Sequence, residues 1–242
     1  DFQHAKFIVC TDAGLSSTDN RKFNNEAGRA FITTQSIKKL KKYLKEWCLE
    51  ATGWKLEGFE TDKNGKSITF DIRQLETDVD LAHKFRNSTF YKERWIKEDG
   101  LEQKLIVTFS LKYKYYQQSI RERQVKRAEK MLNGNLSSLK KHHQNDCKRF
   151  IKKTGITSDG EIADKEIYEL DQSVIDEEAY YDGFYAVCTN LSDEPPKIAK
   201  INHSRWEIEE CFRIMKTDFK SRPAYVRTDS RIQAHFMTCF LS

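Results

Sequence analysis

Long apolar runs are missing from this sequence. None approaches the roughly 18 residues that a membrane-spanning helix needs, and no charged segment followed by an apolar stretch marks a secretory leader. Paired cysteines are missing as well. The six thiols, at 10, 48, 147, 188, 211 and 239, include no C-x-x-C. Several lie in apolar runs such as IVC and AVC, which suits reduced, buried thiols in a cytoplasmic protein and excludes a disulfide or zinc framework. There are no internal repeats and no low-complexity tracts. Aromatics at 12% and charged residues at 33% describe a globular chain of 242 residues, long enough for a core with an insertion.

Charge is present in blocks. The net value is only +5, yet thirteen Lys/Arg fall between Lys112 and Lys153, opposed by Glu122, Glu129 and Asp146 alone. From Thr154 to Asp182 ten acidic residues face one lysine. A basic block of this kind is either the footprint of a polyanion partner or a solvated helix face.

Periodicity divides the chain. KFIVCTDAG (6–14) reads as a buried strand closed by Asp12, and 16–28 as a short capped helix ending at Gly28. A strand at 29–35 and an amphipathic helix over 36–53, capped by Ser36 and stopped by Gly53, follow. Strands are expected at 66–74, 88–96, 104–113, 166–173 and 182–190. Helices are expected at 116–133, 136–153, 203–220 and from 231 onward, with DEPP (193–196) as a break. The alternation followed by a β-rich middle and then helices reads as an α/β core, 1–53 and 183–242, interrupted by an insertion over 54–182 that also carries basic helices.

One helix carries an unusual stripe. At about 100° per residue, Arg205, Glu209 and Lys216 fall within about 40° of one another. Phe212 lies beside them, and Ile208, Met215 and Cys211 continue an apolar face expected to be buried. A carboxylate between two cations at the rim of a core suggests a site that handles anions.

Three pieces line up: an Asp closing a buried strand in IVCTDAGLSS, DGFYAVCTNL after a long insertion, and RWEIEECFRIMK followed by SRPAYVR and IQAHF. Together they resemble the DDE transposases of bacterial insertion sequences, of the insertion-sequence-four type with a β insertion domain. The signature Y-x2-R-x3-E-x6-K is met by Arg205, Glu209 and Lys216, while Asn202 stands at the tyrosine position. The resemblance implies a partial ribonuclease-H-like core with three carboxylates and two Mg²⁺ or Mn²⁺ ions. Asp12 matches the second acid and Glu209 the last. The first is expected in a segment outside this chain, whose start at Asp1 and apolar end read as those of a piece of a longer polypeptide. Arg205 and Lys216 would hold transposon-end phosphates. Arg121, Arg123, Lys126 and Arg127, with Tyr113, Tyr115 and Tyr116, would contact DNA backbone and bases.

The expected activity is metal-dependent cleavage of transposon ends and strand transfer into target DNA, by a homodimer on double-stranded DNA in the bacterial nucleoid. Two rival readings are an inactive DNA-binding remnant and a metal-dependent nuclease without strand transfer. Asp182 competes with Asp12 for the role of second acid, in which case Asp12 would be the first; otherwise it is a turn residue. Asp12 alone could be a turn cap, and Glu209 a surface partner of Arg205. Glu210 points about 100° away and is an exposed helper at most. His142-His143 reads as a surface pair rather than a metal site, His235 as a satisfied core histidine, and Trp206 as packing under its helix or stacking on a base.

Overall fold

Four residues of an apolar run, Ile8–Thr11, form the edge strand β1. It pairs in parallel with β2 (Ala30–Thr34), in the register Ile8↔Ala30 to Thr11↔Thr33. Between them α1 (Thr18–Asn24) starts where Ser17 accepts a hydrogen bond from the Asn20 amide. The computed structural model describes residues 7–59, 61–134, 145–156, 165–218, 221 and 225–241. The strands of the larger, mixed sheet run in the order β1-β2-β8-β5-β4-β3, where β3 is Lys55–Leu56, β4 Phe90–Glu98, β5 Leu101–Phe109 and β8 Phe184–Thr189. A two-residue turn joins β4 to β5. Asp99 and Gly100 both have positive φ, 48° and 81°, as this tight hairpin requires.

The chain divides into two compact units, 1–34 with 95–104 and 188–242, and 35–94 with 105–187. In the first, Phe31 lies across from the end of β8. The Thr189 hydroxyl donates to the Phe31 carbonyl at 2.6 Å, and the Phe31 amide donates to Asn190 Oδ1 at 2.9 Å. Two consecutive side chains thus satisfy both backbone groups of one buried residue. Three helices follow: α7 (Pro195–His203), α8 (Arg205–Thr217) and α9 (Asp229–Leu241).

The second unit has its core around Trp54, fully buried with ring centroids 6.0 Å from Phe109 and 5.8 Å from Phe184. Lys92 on β4 is buried against it. Its ammonium donates to the carbonyls of Trp47 (2.7 Å) and Glu50 (2.9 Å), closing the C-terminal end of α2 (Lys42–Leu49), and lies over the Trp54 ring. Helices α3 (Gln74–Thr77) and α4 (Val79–Lys84) precede β4. After β5 comes α5, Leu111–Leu132, 22 residues long. A smaller sheet of β6 (Ile151–Ile156) and β7 (Lys165–Leu170), with α6 (Gln172–Ala179), packs on the end of α5 around Ala128, Phe150 and Ile151.

Several expectations are corrected. The helix expected over 36–53 is two pieces. Ile37 and Leu40, three apart, bury through a 3₁₀ turn, and Leu44 and Cys48, four apart, bury through α2. No strand spans 66–74. Phe70 makes one bridge to Trp54, then Asp71 accepts from the Arg73 amide and turns the chain. The described part of the helix expected at 136–153 is a 3₁₀ turn capped by Asp146 and then β6. His142-His143 lies outside the described residues. β7 ends at Leu170 and gives way to α6, and the expected break at 193–196 instead opens α7, with proline in its first turn.

Candidate active site and nucleic-acid interface

Asp12 follows the last residue of β1 in extended conformation. Its Oδ1 accepts from the amides of Gly14 (2.9 Å) and Leu15 (3.2 Å), capping a short 3₁₀ turn. Oδ2 has no partner among the described residues, and the side chain is exposed. The approach depends on Gly14, because a Cβ there would lie 3.2 Å from Oδ1. The strand end beneath it is fixed by the Thr11 hydroxyl donating to Thr33 Oγ1 at 2.7 Å. Asp12 is therefore a turn cap that keeps one oxygen free.

Helix α8 carries the other acid. Glu209 pairs with Arg205 one turn earlier, at 3.3 Å, with Glu209 largely exposed and Arg205 mostly covered. Lys216 is exposed in the last turn. Burial raises the Cys10 thiol pKa, and the Arg205 guanidinium pulls it back down, so Arg205 lies within electrostatic reach of Cys10. Alternation along an extended chain puts Cys10 and Asp12 on the same side. Arg205 thus pairs with Glu209 and lies within electrostatic reach of the strand that precedes Asp12.

The flank of α8 differs from expectation. Phe212 is 54% and Trp206 51% exposed, and Cys211 is exposed too. Trp206, half exposed, has its ring 6.4 Å from that of His203. Glu210 pairs with Arg213, which holds its carboxyl below the ordinary range. His235 is satisfied, with Nε2 3.2 Å from the Ser221 carbonyl.

As donors for a divalent cation, the free Asp12 Oδ2 and the Glu209 carboxylate are hard oxygens of the kind Mg²⁺ and Mn²⁺ take. They fit in chemical kind but not in number. Among the described residues no group of three His, Cys, Asp or Glu gathers at one point.

Seven of the thirteen residues of the basic block lie on α5. Taking Arg121 as zero, Arg123, Lys126, Arg127 and Lys130 fall at about 200°, 140°, 240° and 180°, opposite to it. All four are exposed, and none has a carboxylate partner among the described residues. Lys112 and the exposed ring of Tyr116 extend the same face, for about 27 Å in all. Tyr116 stacks on Tyr113 (6.4 Å, 21°), and both wall a cleft of about 440 Å³.

Arg121 is different. Its two terminal nitrogens meet the two oxygens of Asp182 at 2.7 and 2.5 Å, with Arg121 12% and Asp182 4% exposed at the side chain. Neither group faces solvent. Phosphate contact by Arg121, or metal ligation by Asp182, would require breaking this pair. The acids' positions and the Arg205–Glu209 spacing were readable in the sequence. The Arg121–Asp182 pair was not, since its partners are 61 residues apart.

Among the described residues no helix is long and apolar enough to cross a membrane. The family model described as a transposase DDE domain matches residues 2–242. No curated protein and no solved structure matches the chain.

Proposed function

The chain belongs to the transposase DDE domain family, whose members act on DNA and generally use divalent metal ions, and on that premise we propose that it serves the cleavage of transposon ends and their transfer into target DNA. Asp12 and Glu209 act as two of the family's three carboxylates. Asp12 and Glu209 would be ligands of Mg²⁺ or Mn²⁺, and two such ions would supply activation of the attacking oxygen and stabilisation of the leaving one at phosphorus. The chain's own part is to aim oxygens and hold phosphate. Asp12 offers Oδ2 while two amides fix its other oxygen. Arg205 holds Glu209 in place and, with its planar fork, takes a phosphate of the transposon end. Lys216 adds a point charge three turns along the helix. Arg123, Lys126 and Arg127 on α5 track the backbone of double-stranded DNA, on which a homodimer assembles. The insertion-sequence-four type remains the branch to which the signature and insertion point.

The observation that carries this reading is the Arg205–Glu209 pair, set one helical turn apart on α8 at 3.3 Å, with Asp12 at the end of β1 keeping one carboxylate oxygen without a partner among the described residues. The test is a strand-nicking assay on terminal inverted repeats with Mg²⁺ or Mn²⁺, using the full-length parent polypeptide. Glu209→Gln and Asp12→Asn should each abolish nicking. Nicking that survives Glu209→Gln would sink the assignment.

A second reading is an inactive DNA-binding remnant that inhibits transposition, favoured by Asn202 at the signature's tyrosine position. Under it, the native chain nicks nothing, and its DNA affinity falls steeply with salt whether or not Glu209 is intact.

A further inference from the structure

Helix α5 has no continuous apolar stripe in its first half, yet it is firmly placed. On its inner face four polar side chains at spacings of three and four each meet a distant partner. Lys114 pairs with Glu76, Gln117 Oε1 accepts from the Gly183 amide at 2.7 Å, Arg121 grips Asp182, and Gln124 Oε1 accepts from Arg149 Nη2 at 2.6 Å. Arg149 is itself held by Glu178 through Nε and Nη2, at 2.7 and 3.0 Å. Only further along do apolar residues take over on the same side, at Val125, Ala128 and Leu132.

Apolar contacts are non-directional and tolerate a rolled helix, whereas a bidentate guanidinium–carboxylate pair does not. Buried ion pairs add little net stability, and their best-attested use is to specify register. Within this ladder the Arg121–Asp182 pair is the most buried and has the strictest geometry. Arg123, Lys126, Arg127 and Lys130 lie opposite it, so the rotational setting of Arg121 decides whether they form one outward row.

We infer that Asp182 and Arg121 are positioning residues for nucleic-acid binding: their buried pair fixes the roll of α5 and so aligns its outer basic row with a DNA backbone. Asp182 touches no DNA and takes part in no chemistry. This rests on the reading of that row as a DNA contact. It predicts an effect opposite in sign to simple electrostatics. Removing a negative charge should tighten polyanion binding by Coulomb attraction alone, whereas removing Asp182 should weaken it.

The test is fluorescence anisotropy with a fluorescein-labelled duplex of random sequence, over a series of NaCl concentrations. Asp182→Asn should bind more weakly than the native chain, with a log–log salt slope shallower by about one. Equal or tighter binding by Asp182→Asn, with weaker binding by an Arg123→Ala, Lys126→Ala, Arg127→Ala triple variant, overturns the positioning role and leaves the DNA contact standing. Unchanged binding by the triple variant overturns the contact itself and this inference with it. Should circular dichroism show Asp182→Asn unfolded, the double variant Arg121→Met, Asp182→Leu replaces the pair without stranding a charge. Weaker binding by that folded protein upholds the role, and native affinity refutes it.

Discussion

Helices α5 and α8 carry the two sets of residues proposed to meet DNA, and they are held in opposite ways. α8 bears a spaced signature, Arg205, Glu209 and Lys216, but Trp206 and Phe212 on its surface are about half exposed. α5 bears no signature, only a surplus of lysine and arginine. Its inner face is nevertheless anchored by Asp182, Arg149 and Gly183, and Ala128 is fully buried. The difference shows that chemistry and placement are encoded separately. A site that binds phosphate and metal fixes residue types at set spacings along one helix. A surface that tracks a duplex fixes only which way a helix faces, and that is decided by partners elsewhere in the chain.

The comparison breaks first at the signature. Glu209→Gln should reduce nicking on the order of 10⁴-fold, since members of a catalytic group act as a unit. Its stability should scarcely change, because the ion pair to Arg205 is solvent-screened and worth about 0.5 kcal/mol or less. Urea unfolding beside the nicking assay separates the two. Loss of activity matched by loss of structure would make Glu209 a fold residue instead.

The next test is of the anchored helix. Ala128 lies fully buried between Phe150 and Ile151. Ala128→Leu should destabilise by about 1–3 kcal/mol through overpacking, seen as a lower urea midpoint with an unchanged slope. A neutral result would mean that the small sheet of β6 and β7 is not packed on α5 as described.

Legibility in the sequence follows the same divide. Asp12 closing β1, the short capped helix that follows it and the Arg205–Glu209 spacing all rest on neighbours within a few residues, and all were readable. Three misreadings share a cause. The strand expected at 66–74 has strand composition, but Phe70 finds only one backbone partner in Trp54. The Lys-rich stretch after 136 has helical periodicity, but Phe150 and Ile151 are drawn into a core with Ala128 and the chain becomes a strand. Arg121 belongs to a basic run, yet burial beside Asp182 removes it from the surface. In each, a tertiary contact more than fifteen residues away overrides a local pattern. The apolar flank of α8 errs in the other direction, since periodicity shows which face is apolar and not whether anything covers it.

A smaller effect sharpens how the anchored unit uses charge. Burial lowers the pKa of Lys92 to about 8, and burial raises that of Cys48 to about 12. For Lys92 the folded value lies below the unfolded one, so between pH 8 and about 10.5 the unfolded chain binds more protons and stability rises with pH. Cys48 has the opposite sign, because the unfolded thiol ionises from about pH 9 upward while the folded one keeps its proton. The window from pH 8 to 9 therefore belongs to Lys92. Stability should rise there by about 1 kcal/mol, less whatever the two carbonyls and the Trp54 face return to the charged form. Lys92→Met, which cannot titrate, should flatten the rise. An equal rise in that variant would assign it to another group.

The smallest expected effect probes the uncovered helix. Phe212 is half exposed, so Phe212→Ser removes little apolar area from burial and should change stability by no more than about 0.5 kcal/mol. A residue buried by a further surface would behave otherwise. In that case the substitution should leave the urea midpoint of the isolated chain alone and still lower the activity of the assembled protein on DNA. Measuring the midpoint at two protein concentrations separates the possibilities, because a face covered by a second copy makes stability concentration-dependent. A midpoint that stays constant across concentrations, with a stability loss in Phe212→Ser of about 1 kcal/mol or more, would show α8 to be held by its own chain as tightly as α5, and the contrast between the two helices would be lost.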